Sequence, residues 1–181
     1  MLRLKIQLAG ILQSYGTKQS LALAYRDTAF VPTKSAIIGL LACALGIHKE
    51  NPLYDDISDI EMYARENTYN GVLVDYQIIA PRVYQHTGET AQNVMFQTMD
   101  GANNKSQLPT NKVYLQDTDY SVYLLSNDRA FLEKLHHALR HPVWSYYMGR
   151  ACCTPSRPLV SKTPDITEWN EEEKRLCTYM N

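Results

Sequence analysis

The run from Pro32 to Ile47, PTKSAIIGLLACALGI, constrains this chain more than any other stretch. It joins a turn, a helix start and an apolar helix face. Thr33 follows Pro32 and is a good N-cap, because its hydroxyl can accept a hydrogen bond from an orphan backbone N–H. Ile37, Leu40, Leu41, Ala44 and Leu45 recur at helical spacing. Gly46 supplies the stop, since it takes the left-handed C-terminal conformation without steric cost. The helix start gathers backbone N–H groups with Thr33, Lys34 and Ser35, a set suited to an anion such as phosphate. Taken alone, the segment reads more plainly as a buried amphipathic helix whose polar cap serves its own backbone.

Leu2, Leu4, Ile6 and Leu8 alternate with Arg3, Lys5 and Gln7, which predicts a half-buried strand. Pro52–Glu66 is acidic and reads as a loop and a short helix. Val72, Leu73, Val74, Tyr76, Ile78 and Ile79 predict the next strand. Residues 81 to 112 are polar and rich in turn formers, with Asp100-Gly101, Asn103-Asn104 and Pro109; so long an irregular insertion is usually functional or disordered. Val113–Leu115 and Tyr120–Leu125 supply further strand material. Phe131, Leu135, Ala138 and Leu139 mark a second helix closed by Pro142, and Val143–Met148 reads as the last strand. The order fits a βαββαβ ferredoxin-like, RRM-like α/β (α+β) domain. The aromatic signature of an ordinary RRM is absent, so face-on base stacking is not expected.

A chain of 181 residues suggests one domain with room for an insertion. No apolar run approaches the ~20 residues a membrane span needs, and no membrane partner is expected. Cys43, Cys152, Cys153 and Cys177 form no CxxC pair, so reduced thiols in a cytoplasmic protein are the simplest account. No Walker, Rossmann, GxSxG or HExxH pattern occurs, and neither cofactor nor metal is expected. His136, His137 and His141 read as a solvated helix face. The net charge of -1 hides segregation. The first 26 residues carry Arg3, Lys5, Lys18 and Arg26 and no acid. Between Glu133 and Asp165 stand Lys134, Arg140, Arg150, Arg157 and Lys162, again with no acid. If these segments meet in space they form a phosphate-binding surface.

Three groups of residues carry a more specific signal. They are Leu12-Gln13-Ser14-Tyr15-Gly16; Arg26 before Pro32-Thr33-Lys34-Ser35; and Met148-Gly149-Arg150-Ala151-Cys152-Cys153-Thr154-Pro155-Ser156. Gly71 to Asp75 and Tyr114-Leu115-Gln116-Asp117 lie between them in order. Together they resemble the CasD family, the fifth-numbered Cas subunit of type I-E CRISPR Cascade, over roughly residues 1 to 160. Lys112 stands near an expected arginine, and Arg65-Glu66 where the family often has Arg-Asp. The family continues some tens of residues further with an Arg-rich segment, whereas this chain ends in an acidic tail, 161–181.

The resemblance implies a non-catalytic ribonucleoprotein subunit in antiviral defence. It would hold the 5′ handle of the crRNA, cap the Cas-seven backbone filament and abut the Cascade large subunit. Target DNA would be read by the guide through base pairing. Residues 1–160 would form the handle-binding domain and 81–112 a β-hairpin thumb, with Val94, Met95 and Phe96 as its partner contact. The RNA surface would use Gln13, Tyr15, Gly16, Arg26, Thr33, Lys34, Ser35, Lys49, Lys112, Gly149, Arg150, Cys152, Pro155 and Ser156. On chemistry alone, glycine admits a close backbone, tyrosine can stack on an unpaired base and arginine presents a fork for phosphate. The alternative is a metal-independent endoribonuclease that processes precursor crRNA, as the related type I-C subunit does, with His48-Lys49 as its best acid–base pair. A third reading is an assembly subunit that contacts mainly protein.

Overall fold

The computed structural model describes residues 1–17, 25–79, 96–97, 103–104 and 108–180. The strands are β1 (Leu2–Gln13), β2 (Tyr25–Arg26), β3 (Glu61–Thr68), β4 (Gly71–Ile79), β5 (Phe96–Gln97), β6 (Asn103–Asn104), β7 (Leu108–Ser126), β8 (Ile166–Glu168) and β9 (Thr178–Tyr179). The helices are α1 (Lys34–Leu45), α2 (Pro52–Asp59), α3 (Arg129–Arg140) and α4 (Glu171–Arg175). The main sheet runs β8-β1-β7-β3-β9, with β2 and β4 also paired to β7. All these pairs are antiparallel except β2 with β7. The fold is therefore mixed α/β on an antiparallel sheet.

Alternation divides the sheet into two faces. Leu4, Ile6, Leu8, Met62, Ala64, Val122 and Leu124 point inward and join Ile37, Leu41, Leu132 and Leu135 of α1 and α3 in one core. The register pairs Met62 with Leu124 and Tyr63 with Tyr123. Tyr63, Tyr123 and Leu125 thus fall on the opposite face, where they are also buried. Trp169 covers them, with ring centroids 5.4 Å from Tyr63 and 5.1 Å from Tyr123. Arg3 Nε reaches Glu173 Oε2 at 2.9 Å, and Met180 N donates to Met62 O. Residues beyond 160 are consequently not a free tail: β8 extends the sheet beside β1 and β9 extends it beside β3. The chain's own C-terminal segment occupies this aromatic face of the sheet.

Two elements differ from expectation. Glu61–Thr68 is a strand rather than the end of the acidic loop-and-helix segment. Its outward Tyr63 rests on distant Trp169 and Tyr179, a cover that local polarity does not reveal. Val143–Met148 is not a strand; β8 closes the sheet instead. Val143 N and Trp144 N donate to Ala44 O and Cys43 O, so this stretch satisfies the orphan carbonyls at the end of α1. Gly46, at φ 68, lets it pack there: a Cβ would lie 2.6 Å from Val143 Cγ1.

Strand β7 is long enough to serve two purposes. β1 pairs with residues 115–116 and 118–126 in the core sheet, while β4 pairs with 108–116 to form an arm, so the two pairings share 115–116. Asp117, at φ 46, interrupts the pairing with β1 beside this overlap. The arm exposes Val74, Tyr76 and Ile78. Residues 108–112 therefore belong to regular strand rather than to the irregular insertion. Val94 and Met95 lie outside the described residues, and Phe96 is described only through its backbone pairing with Asn104.

Candidate nucleic-acid interface

The Leu12–Gly16 turn is tied from within. Gln13 is 0% exposed; its amide donates to Leu8 O at 3.0 Å and Thr118 O at 2.7 Å. Its Oε1 accepts from the Tyr15 hydroxyl at 2.5 Å. Tyr15 is 1% exposed and meets Tyr120 edge-on, with centroids 6.4 Å apart. Burial pushes the Tyr15 hydroxyl pKa well above its ordinary value, with Tyr120 and Cys153 adding to it. Gln13 and Tyr15 therefore offer no surface for RNA. They satisfy each other's polar groups inside the core and hold the turn. Gly16 is exposed, with open space where a Cβ would stand.

The Gly149–Ser156 segment is joined to the same turn. Gly149 has φ +100, and a Cβ there would lie 1.6 Å from Ser14 O. The close approach it permits is that of the chain's own backbone. Arg150 donates from Nη1 to Val113 O at 2.8 Å and from Nη2 to Arg26 O at 3.0 Å. Its guanidinium lies 4.6 Å from the centre of the Tyr114 ring. Part of its fork is thus spent on carbonyls, and the remaining N–H groups are what it can offer an anion. Cys152 Sγ approaches the Tyr114 hydroxyl at 3.6 Å. Ser156 donates from both its backbone N and its Oγ to Ala9 O, at 2.9 Å each. Pro155 is half-buried between them.

Helix α1 presents its start differently from the sequence expectation. Thr33 has the extended N-cap backbone, yet its side chain makes no capping hydrogen bond. Its hydroxyl lies 3.3 Å from that of Ser35 instead. The N–H groups of the first turn are then free of the usual side-chain acceptor, with Lys34 beside them. Arg26 is exposed, and its carbonyl holds Arg150. Arg26 and Arg150 are thus brought together.

Of the remaining candidates, Lys49 lies apart from this group and Lys112 does not. Lys49 stands beyond the other end of α1, a helix of 12 residues and so about 18 Å long at ~1.5 Å per residue. Neighbouring His48 packs on Trp144, with centroids 4.8 Å apart. Lys112 is the register partner of Arg26 where β2 pairs with β7, one residue before Val113, whose carbonyl holds Arg150, and its Nζ donates to Gln77 Oε1 at 2.6 Å. His136 is buried and bonded to Ser161 O at 2.9 Å, so it is not on a solvated face. Among the described residues, no group of three or more histidine, cysteine and carboxylate side chains gathers to hold a metal ion. Sequence reasoning missed the Arg150–Tyr114 stack and the Asp119 hub, which receives Gln7, Asn67 and Arg157. Only the tertiary fold assembles these.

A family model described as CRISPR-associated protein (Cas5) matches residues 3–175. The chain belongs to the Cas5 family. CRISPR system Cascade subunit CasD of Escherichia coli (strain K12) is 27% identical over 179 residues, covering 96% of this chain and 75% of that protein. A chain of a CRISPR RNA-guided surveillance complex superposes with a TM-score of 0.70 at 26% identity. That match covers 87% of this Cas5-family chain and 61% of the other. A second solved structure, a crystal structure of a Cas protein, matches with a TM-score of 0.66 at 28% identity, over 94% of this chain and 68% of that one. The likeness to the type I-E CasD family read from the ordered motifs is thus met by independent comparison of sequence and of fold. No helix among the described residues is long and apolar enough to cross a membrane.

Proposed function

We propose that this chain is a non-catalytic Cascade subunit that binds the 5′ handle of a crRNA and caps the Cas-seven backbone filament. The observation that carries the reading is the start of α1. Its cap residue leaves the helix N–H groups unbonded by the side chain, while Thr33, Lys34 and Ser35 surround them. Anions favour such a terminus, where the helix dipole is positive. Arg26 and the uncommitted N–H groups of Arg150 extend the surface, and exposed Gly16 and Cys152 leave room beside it. Gln13, Tyr15, Gly149 and Ser156 act by positioning these groups. The β4–β7 arm, with its exposed apolar residues, would carry the thumb towards the Cas-seven and large subunits.

Support for a subunit role comes from the names of the relatives, a Cascade subunit and a surveillance complex. The placing of His48 against Trp144, at the far end of α1, favours assembly over cleavage. The test is reconstitution with the other subunits and a labelled guide. Stable incorporation of the guide with its handle protected, and no cleavage of a repeat RNA by the purified chain, is the expected result. Metal-independent cutting that disappears in His48→Ala would replace the reading with the nuclease one.

A further inference from the structure

A second basic feature lies elsewhere on the molecule. A cleft of about 400 Å³ is lined by Lys5, Arg140, Arg157 and Lys162, with Asp165 as its single acid. These cations come from β1, from the last turn of α3 and from the segment that runs along the edge of β1. The acid-free stretch between Glu133 and Asp165 supplies three of them, and the fold sends Arg150 of the same stretch to the other surface. Charge within the cleft is only partly neutralised. Arg157 pairs with Asp119, and Asp165 faces Arg3 at 3.9 Å. Lys5, Arg140 and Lys162 make no ion pair with a described carboxylate.

The cleft wall is fixed. Gln7 N donates to Leu159 O at 2.7 Å, and buried His136 bonds to Ser161 O at 2.9 Å. The uncharged lining of Pro158, Leu159 and Val160 contains no aromatic ring on which a base could stack. A phosphodiester backbone fits such a lining better than a mononucleotide, because backbone contacts need charge and not a base platform. Lys5 and Gln7 sit six to eight residues before Gln13 on β1, about 20–26 Å away at ~3.3 Å per residue. Lys5 and Gln7 therefore lie well along β1 from the Gln13 turn.

We propose that this cleft is a second, sequence-independent binding site for the phosphate backbone of a nucleic-acid strand. It does not depend on the handle reading, and it can hold if that reading fails. The test measures binding of the full chain to labelled single-stranded RNA, single-stranded DNA and duplex DNA of one mixed sequence, across a salt series. The variant is Arg140→Glu with Lys162→Glu. Its neutral counterpart, Arg140→Gln with Lys162→Gln, guards against a folding defect, and Lys134→Glu on the exposed face of α3 matches the neutral pair's change of two charges.

Loss of two phosphate contacts predicts at least a tenfold drop in affinity at low salt and a salt slope shallower by about 1.4–1.8. The neutral pair should show the same direction with a smaller loss, and Lys134→Glu should show little. Whichever of the three probes loses most identifies the strand. Equal losses in Lys134→Glu, unchanged affinity in the cleft variants, or no binding of any probe by the parent chain would each overturn the site. Saturation by inorganic phosphate without nucleic-acid binding would also overturn it, in favour of a free-anion pocket. Lys34→Ala, run in parallel, reports on the handle surface alone.

Discussion

Gly149 and Ser14 are in direct backbone contact: the position of a Gly149 Cβ lies 1.6 Å from Ser14 O, and Ser14 N donates to Met148 O at 3.1 Å. Two motifs far apart in sequence are thus one joint. The glycine serves the fold at this point, and whatever the neighbouring surface binds depends on that joint being closed.

Gly149→Ala should therefore act on stability before it acts on binding. The φ of +100 is hostile to any side chain, and the clash is with backbone rather than a movable side chain. Strain and clash together should cost at least ~3 kcal/mol, visible as a lowered urea midpoint or as insoluble protein. A change within ~0.5 kcal/mol would show that the turn and the Gly149–Ser156 segment do not meet in this way.

Arg150 separates a structural from an RNA-binding role. Arg150→Ala removes donors from Val113 O and Arg26 O and a cation from the face of Tyr114. Charge-assisted hydrogen bonds are strong, but this side chain is partly solvated, so about 2 kcal/mol of stability should be lost. Arg150→Lys should recover less than half of it, since a point charge cannot span both carbonyls. If stability is unchanged and only RNA affinity falls, the guanidinium acts mainly on phosphate.

Lys34→Ala should leave folding intact, because Lys34 sits at the polar end of α1 while Ile37, Leu40 and Leu41 hold the helix in the core. Loss of one phosphate contact should weaken binding of handle RNA and make the salt slope shallower by about 0.7–0.9. A filter-binding series at several salt concentrations measures both. An unchanged slope would leave the helix start with no ligand.

Much of the framework was legible from local pattern. The alternation of Leu2 to Leu8 gave β1, and the spacing in PTKSAIIGLLACALGI gave α1 with its Gly46 stop. Phe131 to Leu139 gave most of α3. The failures share a cause, which is that the deciding partner lies far along the chain. β3 looks half-charged until Trp169 covers Tyr63. Val143 and Trp144 have strand-like side chains, yet their N–H groups go to the end of α1. At the candidate site, the motifs picked out the Leu12–Gly16 turn but not the burial of its side chains. Gln13 and Tyr15 are the kinds of residue that read RNA, and only the packing against Tyr120 shows them facing inward. The basic stretch was visible as composition, but its division between two surfaces required the fold.

The vicinal pair Cys152-Cys153 gives a last prediction, on pH. Cys152 is exposed and Cys153 is fully buried. Burial, with smaller contributions from Cys152, raises the Cys153 thiol from 9.0 to about 12. The unfolded chain would release this proton near 9.0 and the folded chain near 12. Between those values the unfolded state binds fewer protons, so stability is full below about 9 and falls as pH rises towards about 12. Tyr15 and Tyr120, also raised by burial, add the same sign from about 10 upward. The window just above 9 therefore belongs mainly to the thiols. Urea unfolding from pH ~8 to ~10 should show a declining midpoint that is flatter in Cys153→Ala. Iodoacetamide with peptide mapping should label Cys152 well before Cys153 in the native protein and both alike in urea. Equal native labelling, or the same pH slope with and without the Cys153 thiol, would mean that Cys153 is not sealed in the core beneath the Gly149–Ser14 joint.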